Sequence, residues 1–146
     1  MSERSYILFK AGDLALAADS ASVHCIHDDL SIQSEDDTIN WFLGFAVADE
    51  RLLPITDLGS YLNGNPSSGR IFEVARHFGI AGLKIDEVHS VSKKQPVRLD
   101  SNQTVLEVCS SLKNVVINDL GRQYQLIDIA SLLQSSRFIN VQHEPA

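Results

Sequence analysis

The chain has 146 residues, 44% of them hydrophobic and 21% charged, which are ordinary proportions for one folded domain with a sizeable core. Its formal net charge of −7 argues against non-specific binding to nucleic acid or to an anionic membrane surface. No apolar run approaches the ~20 residues that span a bilayer, and the first residues lack the layout of a secretion signal. The two cysteines provide no disulfide framework. A cytoplasmic location is therefore expected.

The first third of the sequence predicts short strands followed by a polar loop. Apolar and small residues predict three strands, at 5–10, 14–18 and 23–26. Gly12 and Asp13 mark the turn between the first two strands, and Asp19 begins a short helical turn before the third. The acidic segment 27–38 is predicted to be an exposed loop.

The segment Gly44–Leu62 is predicted to form two strands and the start of a helix. Its apolar residues flank the polar pair Asp49–Glu50, which suits a tight turn. Pro54 has no N–H group, so its strand is expected at a sheet edge or with a bulge at that point. Asp57 stands at an N-cap position. The helix that follows carries three apolar residues on one face: Leu58, Tyr61 and Leu62.

The second half predicts further short strands and a closing helix after the turn-rich connector 63–69. Extended segments are expected at 70–76, 80–85, 86–91, 105–108, 115–118 and 123–127. The segment 92–102 is polar and contains Pro96. Asp128 is expected to cap a helix whose apolar residues are Ile129, Leu132 and Leu133.

The two halves of the chain resemble each other weakly. Residues 55–62 and 126–133 each read as a strand that runs into an Asp-capped helix, and the two aspartates are 71 residues apart. A Gly…Leu…Asp pattern earlier in each half recurs at an offset of 67 residues, at Gly12, Leu16 and Asp19 and again at Gly79, Leu83 and Asp86. These similar offsets predict one domain over 1–146 with two similar β-rich halves, the second beginning near residue 70. Many short strands favour small barrels over an open sheet.

The cluster His24-Cys25-Ile26-His27 is the most ligand-like stretch of the sequence. Zinc takes about four ligands in tetrahedral geometry. On a strand, His24 and His27 point to opposite faces, so the two histidines do not converge and no metal is expected. Nothing in the sequence places a base beside Cys25, which argues against a nucleophilic role. Cys109 is expected to be a small packed hydrophobe.

Other signals of catalysis are missing from the sequence. Paired carboxylates such as Asp28–Asp29 lie in predicted turns or at strand ends, where solvated surface is the simpler interpretation. The connector NGNPSSG lacks the ending of a phosphate-binding loop, and no Gly-x-Ser-x-Gly elbow occurs. We therefore expect no catalytic residue, no cofactor and no enzymatic activity. Trp41 has two open interpretations, an anchor for a partner protein or a core residue.

Three motifs occur in an order and spacing that are known from one family. The pattern G-V-x-N-L-R-G-x-x-x-P-V-x-D-L matches Gly44–Leu58 at its glycine, proline, aspartate and leucine. A G-x-x-V-D-x-V motif resembles Gly82–Val88, and a closing L-x-L-D-x-x-x-L-L motif resembles Gln125–Leu133. From Tyr6 to Leu133 the chain resembles the CheW-like domain, the adaptor that couples chemoreceptors to the histidine kinase CheA in bacterial chemosensory arrays.

The resemblance implies a fold and a set of partners. The fold is mostly β with short helices, built as two five-stranded SH3-like barrels packed on a shared core. The implied function is that of a non-catalytic adaptor that binds a CheA-like histidine kinase and a methyl-accepting chemoreceptor.

The sequence departs from the family at two points. The family's Arg-Gly pair is Asp49–Glu50 here, so an acidic partner patch that accepts the family arginine would repel this chain. An early V-x-E pattern reads Val23-His24-Cys25. A diverged adaptor of this kind also fits a chemosensory system that governs type IV pili and twitching.

Six residues are expected to bind partner proteins: Val23, Cys25, Trp41, Gly44, Asp49 and Arg51. Two alternatives stay open. One is a domain that self-associates as a homo-oligomer through exposed apolar strand edges near Trp41. The other is a small metal-dependent or acid–base enzyme that uses His24, His27 and the acidic loop.

Overall fold

The computed structural model describes residues 4–28, 30–33, 41–48, 50–63, 65–98 and 112–134. In the first half these contain β1 (Tyr6–Ala11), β2 (Leu14–Asp19), a 3-10 turn (Ser20–Ser22), β3 (Val23–His27), β4 (Phe42–Ala48), β5 (Arg51–Asp57) and α1 (Leu58–Asn63). In the second half they contain β6 (Ile71–Val74), β7 (Gly82–Lys84), β8 (Glu87–Ser92), β9 (Val97–Arg98), β10 (Leu112–Asp119), β11 (Arg122–Ile127) and α2 (Ile129–Gln134).

Most of the predicted elements agree with these bounds. The predicted strand 80–85 is only three residues long, and the two-residue strand β9 lies in a segment that was predicted to be only polar. The predicted strand at 105–108 and Cys109 lie outside the described residues. No helix in the described part of the chain is long and apolar enough to cross a membrane.

The strands form two sheets. One has the order β8-β1-β2-β11-β10-β9 and the other the order β3-β6-β7-β5-β4. The mostly-β prediction is therefore confirmed. The expected pair of closed five-stranded barrels is not seen, because among the described strands the first and last members of each sheet do not pair.

The two sheets share one strand pattern. In each, one parallel pair joins antiparallel neighbours: β2 pairs with β11 in the first sheet, and β7 pairs with β5 in the second. The residues of the sequence repeat occupy corresponding places, with Leu16 and Leu83 on the strands β2 and β7. Each sheet takes strands from both halves of the chain, so neither half builds a sheet alone.

The capping predictions hold in detail. Asp57 accepts a hydrogen bond from the Ser60 backbone N–H at 3.1 Å, and Asp128 accepts one from the Ser131 N–H at the same distance. The apolar residues of α1 and α2 belong to the main core cluster. In that core Phe9 of the first sheet meets Phe72 of the second edge to face, with ring centroids 4.9 Å apart.

Pro54 lies at a point of β5 where the missing backbone N–H costs no hydrogen bond to β7. Its strand β5 lies between β7 and β4, so it is not an edge strand as a whole. The parallel ladder with β7 begins only at Ile55, however, so Pro54 lies where β5 has a neighbour on one side. The missing N–H therefore removes no bond to β7.

Candidate functional site

The candidate site is built on β3, where the side chains alternate between two environments. His24 and Ile26 are exposed, whereas Cys25 and His27 are half-buried on the other face. The sequence predicts this separation of the two histidines correctly, because successive residues of a strand point to opposite faces. The sequence does not predict which residue the Cys25 and His27 side chains contact.

Cys25 and His27 both contact Glu73 of the neighbouring strand β6. Cys25 and Glu73 are register partners, and the Glu73 side chain is only 3% exposed. Its Oε1 accepts from His27 Nε2 at 2.9 Å and from the Cys25 thiol at 3.5 Å. Cys25 Sγ lies 3.2 Å from the same His27 nitrogen. We call Cys25, His27 and Glu73 the β3–β6 triangle.

The second carboxylate oxygen of Glu73 faces two arginines. Arg51 Nη2 of β5 donates to Oε2 at 3.1 Å, and Arg76 Nε lies 4.0 Å from the same oxygen. The buried negative charge is therefore compensated on one side by guanidinium groups and on the other by the triangle, as a buried carboxylate requires.

The pKa of Glu73 reflects two opposing effects. Burial raises it, because the charged form loses hydration. Hydrogen bonds from His27 and Cys25, together with the nearby histidine charges of His24 and His27, lower it. The lowering effects prevail, so the Glu73 pKa lies below its ordinary value of 4.5 and the group is a carboxylate at neutral pH.

The geometry of the β3–β6 triangle differs from that of a catalytic triad. In a catalytic triad the imidazole lies between nucleophile and carboxylate and offers one ring nitrogen to each. Here His27 Nε2 faces both Cys25 Sγ and Glu73 Oε1. The imidazole therefore does not relay a proton between the other two groups, and the three donor atoms converge on one another instead.

Glu73 is the residue of this site that the sequence patterns do not predict. It stands in the apolar strand Ile71-Phe72-Glu73-Val74, where all four residues are buried. A charged residue inside a short apolar strand is itself a signal, because charged side chains are almost never fully buried unless they are paired. Its hydrogen-bond partners Cys25, His27 and Arg51 lie 22 to 48 residues away along the chain, so their identity was not predictable.

Four other residues that were predicted to bind partners differ in burial and in their contacts: Val23, Trp41, Gly44 and Arg51. Val23 is half-buried against the main core. Trp41 is 3% exposed and packs edge to face on Tyr61 at 4.9 Å, which favours its interpretation as a core residue. Gly44 is buried at a bulge in the β4–β5 ladder with φ 125°, a backbone angle that favours glycine. Arg51 uses its guanidinium on Glu73 and keeps 36% of its side chain exposed.

Asp49 lies outside the described residues, but both sides of it are described. Ala48 of β4 pairs with Arg51 of β5, and two residues separate them along the chain. Glu50 has φ 65°, in the left-handed region that glycine adopts easily. The family pattern has glycine at this position.

An apolar pair lies on the same hairpin. Val47 and Leu52 face each other across β4 and β5, and they are 65% and 60% exposed. A groove beside them is lined by Leu30, Ile32 and Gln33 together with Val47. We call Val47 and Leu52 the hairpin patch. Adjacent exposed apolar side chains form a contiguous apolar surface, and such surfaces, when large, mark protein interaction sites.

Comparison with known proteins gives a consistent result. The model of the CheW-like domain matches residues 5–137. Among solved structures, the scaffolding protein TtCheW from Thermoanaerobacter tengcongensis superposes with a TM-score of 0.75 at 19% sequence identity, over 92% of this chain and 95% of that one. No curated protein matches the sequence.

Proposed function

This chain belongs to the CheW-like domain family, and on that premise we propose that it is a non-catalytic adaptor of a bacterial chemosensory system. Its partners are a CheA-like histidine kinase and a methyl-accepting chemoreceptor, and it acts in the cytoplasm. In the finer architecture that goes with this role, each sheet curves into an SH3-like unit. Family membership over 5–137 is the observation that carries the proposal.

The hairpin patch is the surface that we assign to the kinase. Val47 and Leu52 offer exposed apolar area on paired strands, which suits the centre of a protein interface. The patch flanks the turn at 49–50, in the segment that the family associates with receptor and kinase coupling. Arg51 supports the patch from within, because its guanidinium is bound to Glu73.

The charge of the turn determines the choice of partner. Asp49–Glu50 places two acidic residues where the family carries Arg-Gly. Like charges that face each other across an interface cost several kcal/mol, so a kinase with an acidic patch is excluded and a neutral or basic patch is favoured. We assign the chain to a chemosensory system of the type IV pilus kind, and we expect its kinase to be encoded in the same gene cluster.

Co-purification tests the proposal. The full chain is used as bait for the kinase and, in a separate arm, for the receptor of its own gene cluster. A double variant Val47→Ser/Leu52→Ser is expected to weaken kinase binding about tenfold or more, because both apolar anchors are removed. The matched control is Val91→Ser/Leu120→Ser, which removes a valine on β8 and a leucine in the turn between β10 and β11, 62% and 96% exposed respectively.

The control is expected to bind the kinase within about twofold of the unaltered chain, as surface changes outside an interface do. Failure of the unaltered chain to bind any chemosensory component would overturn the proposal. If light scattering then gave a dimer that the hairpin variant abolishes, the self-association alternative would replace it.

A further inference from the structure

We propose that Cys25, His27 and Glu73 bind one zinc ion, with water as the fourth ligand. From the sequence alone, the ligand pair in question is His24 and His27, which point to opposite faces of β3. The structure separates those histidines and supplies a different third ligand, a buried carboxylate from β6. This site is independent of the adaptor function proposed above.

The three donor atoms already lie close to the positions that zinc requires. For tetrahedral zinc the distances between ligand atoms are about 3.3–3.6 Å, longest where sulfur is involved. The observed edges are 2.9 Å from His27 Nε2 to Glu73 Oε1, 3.2 Å from Cys25 Sγ to Nε2, and 3.5 Å from Sγ to Oε1. Outward movements of about 0.4 Å or less therefore convert the triangle into one face of a tetrahedron.

The donor set selects the metal. Thiolate and imidazole suit zinc, whereas magnesium and calcium prefer sites made of oxygen atoms alone. On binding, the Cys25 thiol loses its proton to solvent. Nε2 of His27 gives up the hydrogen that it donates to Glu73 and becomes the ligand atom, and the neutral ring then carries its hydrogen on Nδ1. Cys25 and His27 are half-buried, which leaves the outer side of the triangle open to a water ligand.

Two features hold the ligands in place. Cys25 and Glu73 are register partners on adjacent antiparallel strands, and His27 lies two residues further along the same face of β3, so the backbone fixes their separation. Glu73 offers Oε1 to the triangle, while its Oε2 is held by Arg51 at 3.1 Å. Carboxylate ligands of metal sites are commonly oriented by such an outer hydrogen bond.

A hydrogen-bonded carboxylate without a metal is the competing interpretation. In that case the thiol donates to Oε1, and the imidazole N–H is shared between Oε1 at 2.9 Å and Sγ at 3.2 Å. With a metal ion, the same three contacts are the edges between its ligand atoms. The experiment below separates the two interpretations.

Metal titration of the full chain, with any affinity tag removed, is the test. The protein is stripped with a chelator and titrated with Zn²⁺ against a chromophoric chelator, and in parallel with Co²⁺ as a spectroscopic substitute. We expect one equivalent of metal and a thiolate-to-cobalt charge-transfer band. Cys25→Ser is expected to abolish that band, and His27→Ala and Glu73→Gln to weaken zinc binding roughly tenfold or more.

The controls use residues of the same type outside the triangle. His24→Ala removes an exposed histidine from the opposite face of β3, and Cys109→Ser removes the second cysteine. Both variants are expected to bind like the unaltered chain. Emission of the single, buried Trp41 verifies that each variant is folded. A folded chain that binds no stoichiometric zinc, or that loses zinc equally with His24→Ala, would overturn the site.

Discussion

At the scale of single residues, stability depends on how the buried charge of Glu73 is compensated. It is a carboxylate with 3% side-chain exposure that contacts a thiol, an imidazole and two guanidinium groups. Removing one member of such a cluster leaves the others with unsatisfied hydrogen bonds, and that loss outweighs the loss of one contact. The position is therefore sensitive both to substitution and to pH.

Glu73→Gln is expected to lower the free energy of unfolding of the metal-free protein by about 1–3 kcal/mol at neutral pH. The folded pKa lies below the ordinary 4.5, so the carboxylate contributes stability above pH 4.5 and loses it as the pH falls through the folded pKa. The difference between the two proteins should therefore shrink in acid. Denaturant titration followed by Trp41 emission, in chelator and across pH, measures it.

A matched control for this substitution lies on the other sheet. Glu87 accepts from His89 Nε2 at 3.0 Å but is 62% exposed, so the same chemistry occurs there in solvent. Glu87→Gln is expected to change the free energy of unfolding by no more than about 0.5 kcal/mol at any pH. Equal effects of the two substitutions would show that burial of Glu73 is energetically unimportant.

At the scale of elements, α1 and the turn between β1 and β2 approach each other closely. A Cβ on Gly59 of α1 would lie 2.3 Å from the Asn65 carbonyl oxygen and 2.7 Å from Gly12 Cα, and both are backbone atoms that cannot rotate away. Asp86 strengthens the same junction, because its carboxylate accepts from the Gly12 N–H at 2.9 Å and from the Ser68 N–H at 2.8 Å. This junction joins the two sheets through a close backbone approach and through the Asp86 carboxylate.

Gly59→Ala is therefore expected to destabilise the fold by about 1–3 kcal/mol through steric overlap. In an ordinary helix the same change stabilises by about 0.5–1 kcal/mol, so the predicted effect has the opposite sign. Thermal and denaturant unfolding measure it. The corresponding position of α2 is Ala130, and Ala130→Gly serves as the control, with an expected loss of about 0.5–1 kcal/mol. A stabilising Gly59→Ala would contradict the close approach.

At the scale of the whole molecule, the two sheets are interleaved along the chain. The first sheet takes β1 and β2 from the first half and its remaining strands from the second half. The second sheet takes β3, β4 and β5 from the first half and β6 and β7 from the second. The central strands of each sheet are thus held by partners from the other half, and unfolding is expected to be one cooperative transition.

Fragments test this interdependence. Fragments 1–69 and 70–146 are each expected to be unfolded alone, because neither contains a complete sheet, and their equimolar mixture is expected to recover the native emission of Trp41. Emission spectra and circular dichroism of each fragment and of the mixture are the measurements. A folded isolated fragment, or two separate transitions in the intact chain, would contradict the prediction.

Sequence by itself determined the features that depend on neighbours along the chain. The strands, the two Asp-capped helices and the opposite facing of His24 and His27 follow from local periodicity and capping, which act over a few residues. The motifs between Gly44 and Leu133 were sufficient to identify the family, because their order and spacing are properties of the sequence itself.

Only the tertiary structure decided which distant residues meet. Cys25 and Glu73 are 48 residues apart and become partners through the register of β3 on β6, which no local pattern encodes. Trp41 could have been an anchor or a core residue, and its packing on Tyr61 depends on where α1 docks. Strand register and helix docking are set by the burial of many side chains together. The contact of Glu73 with Cys25 and His27 therefore appears only in the folded chain.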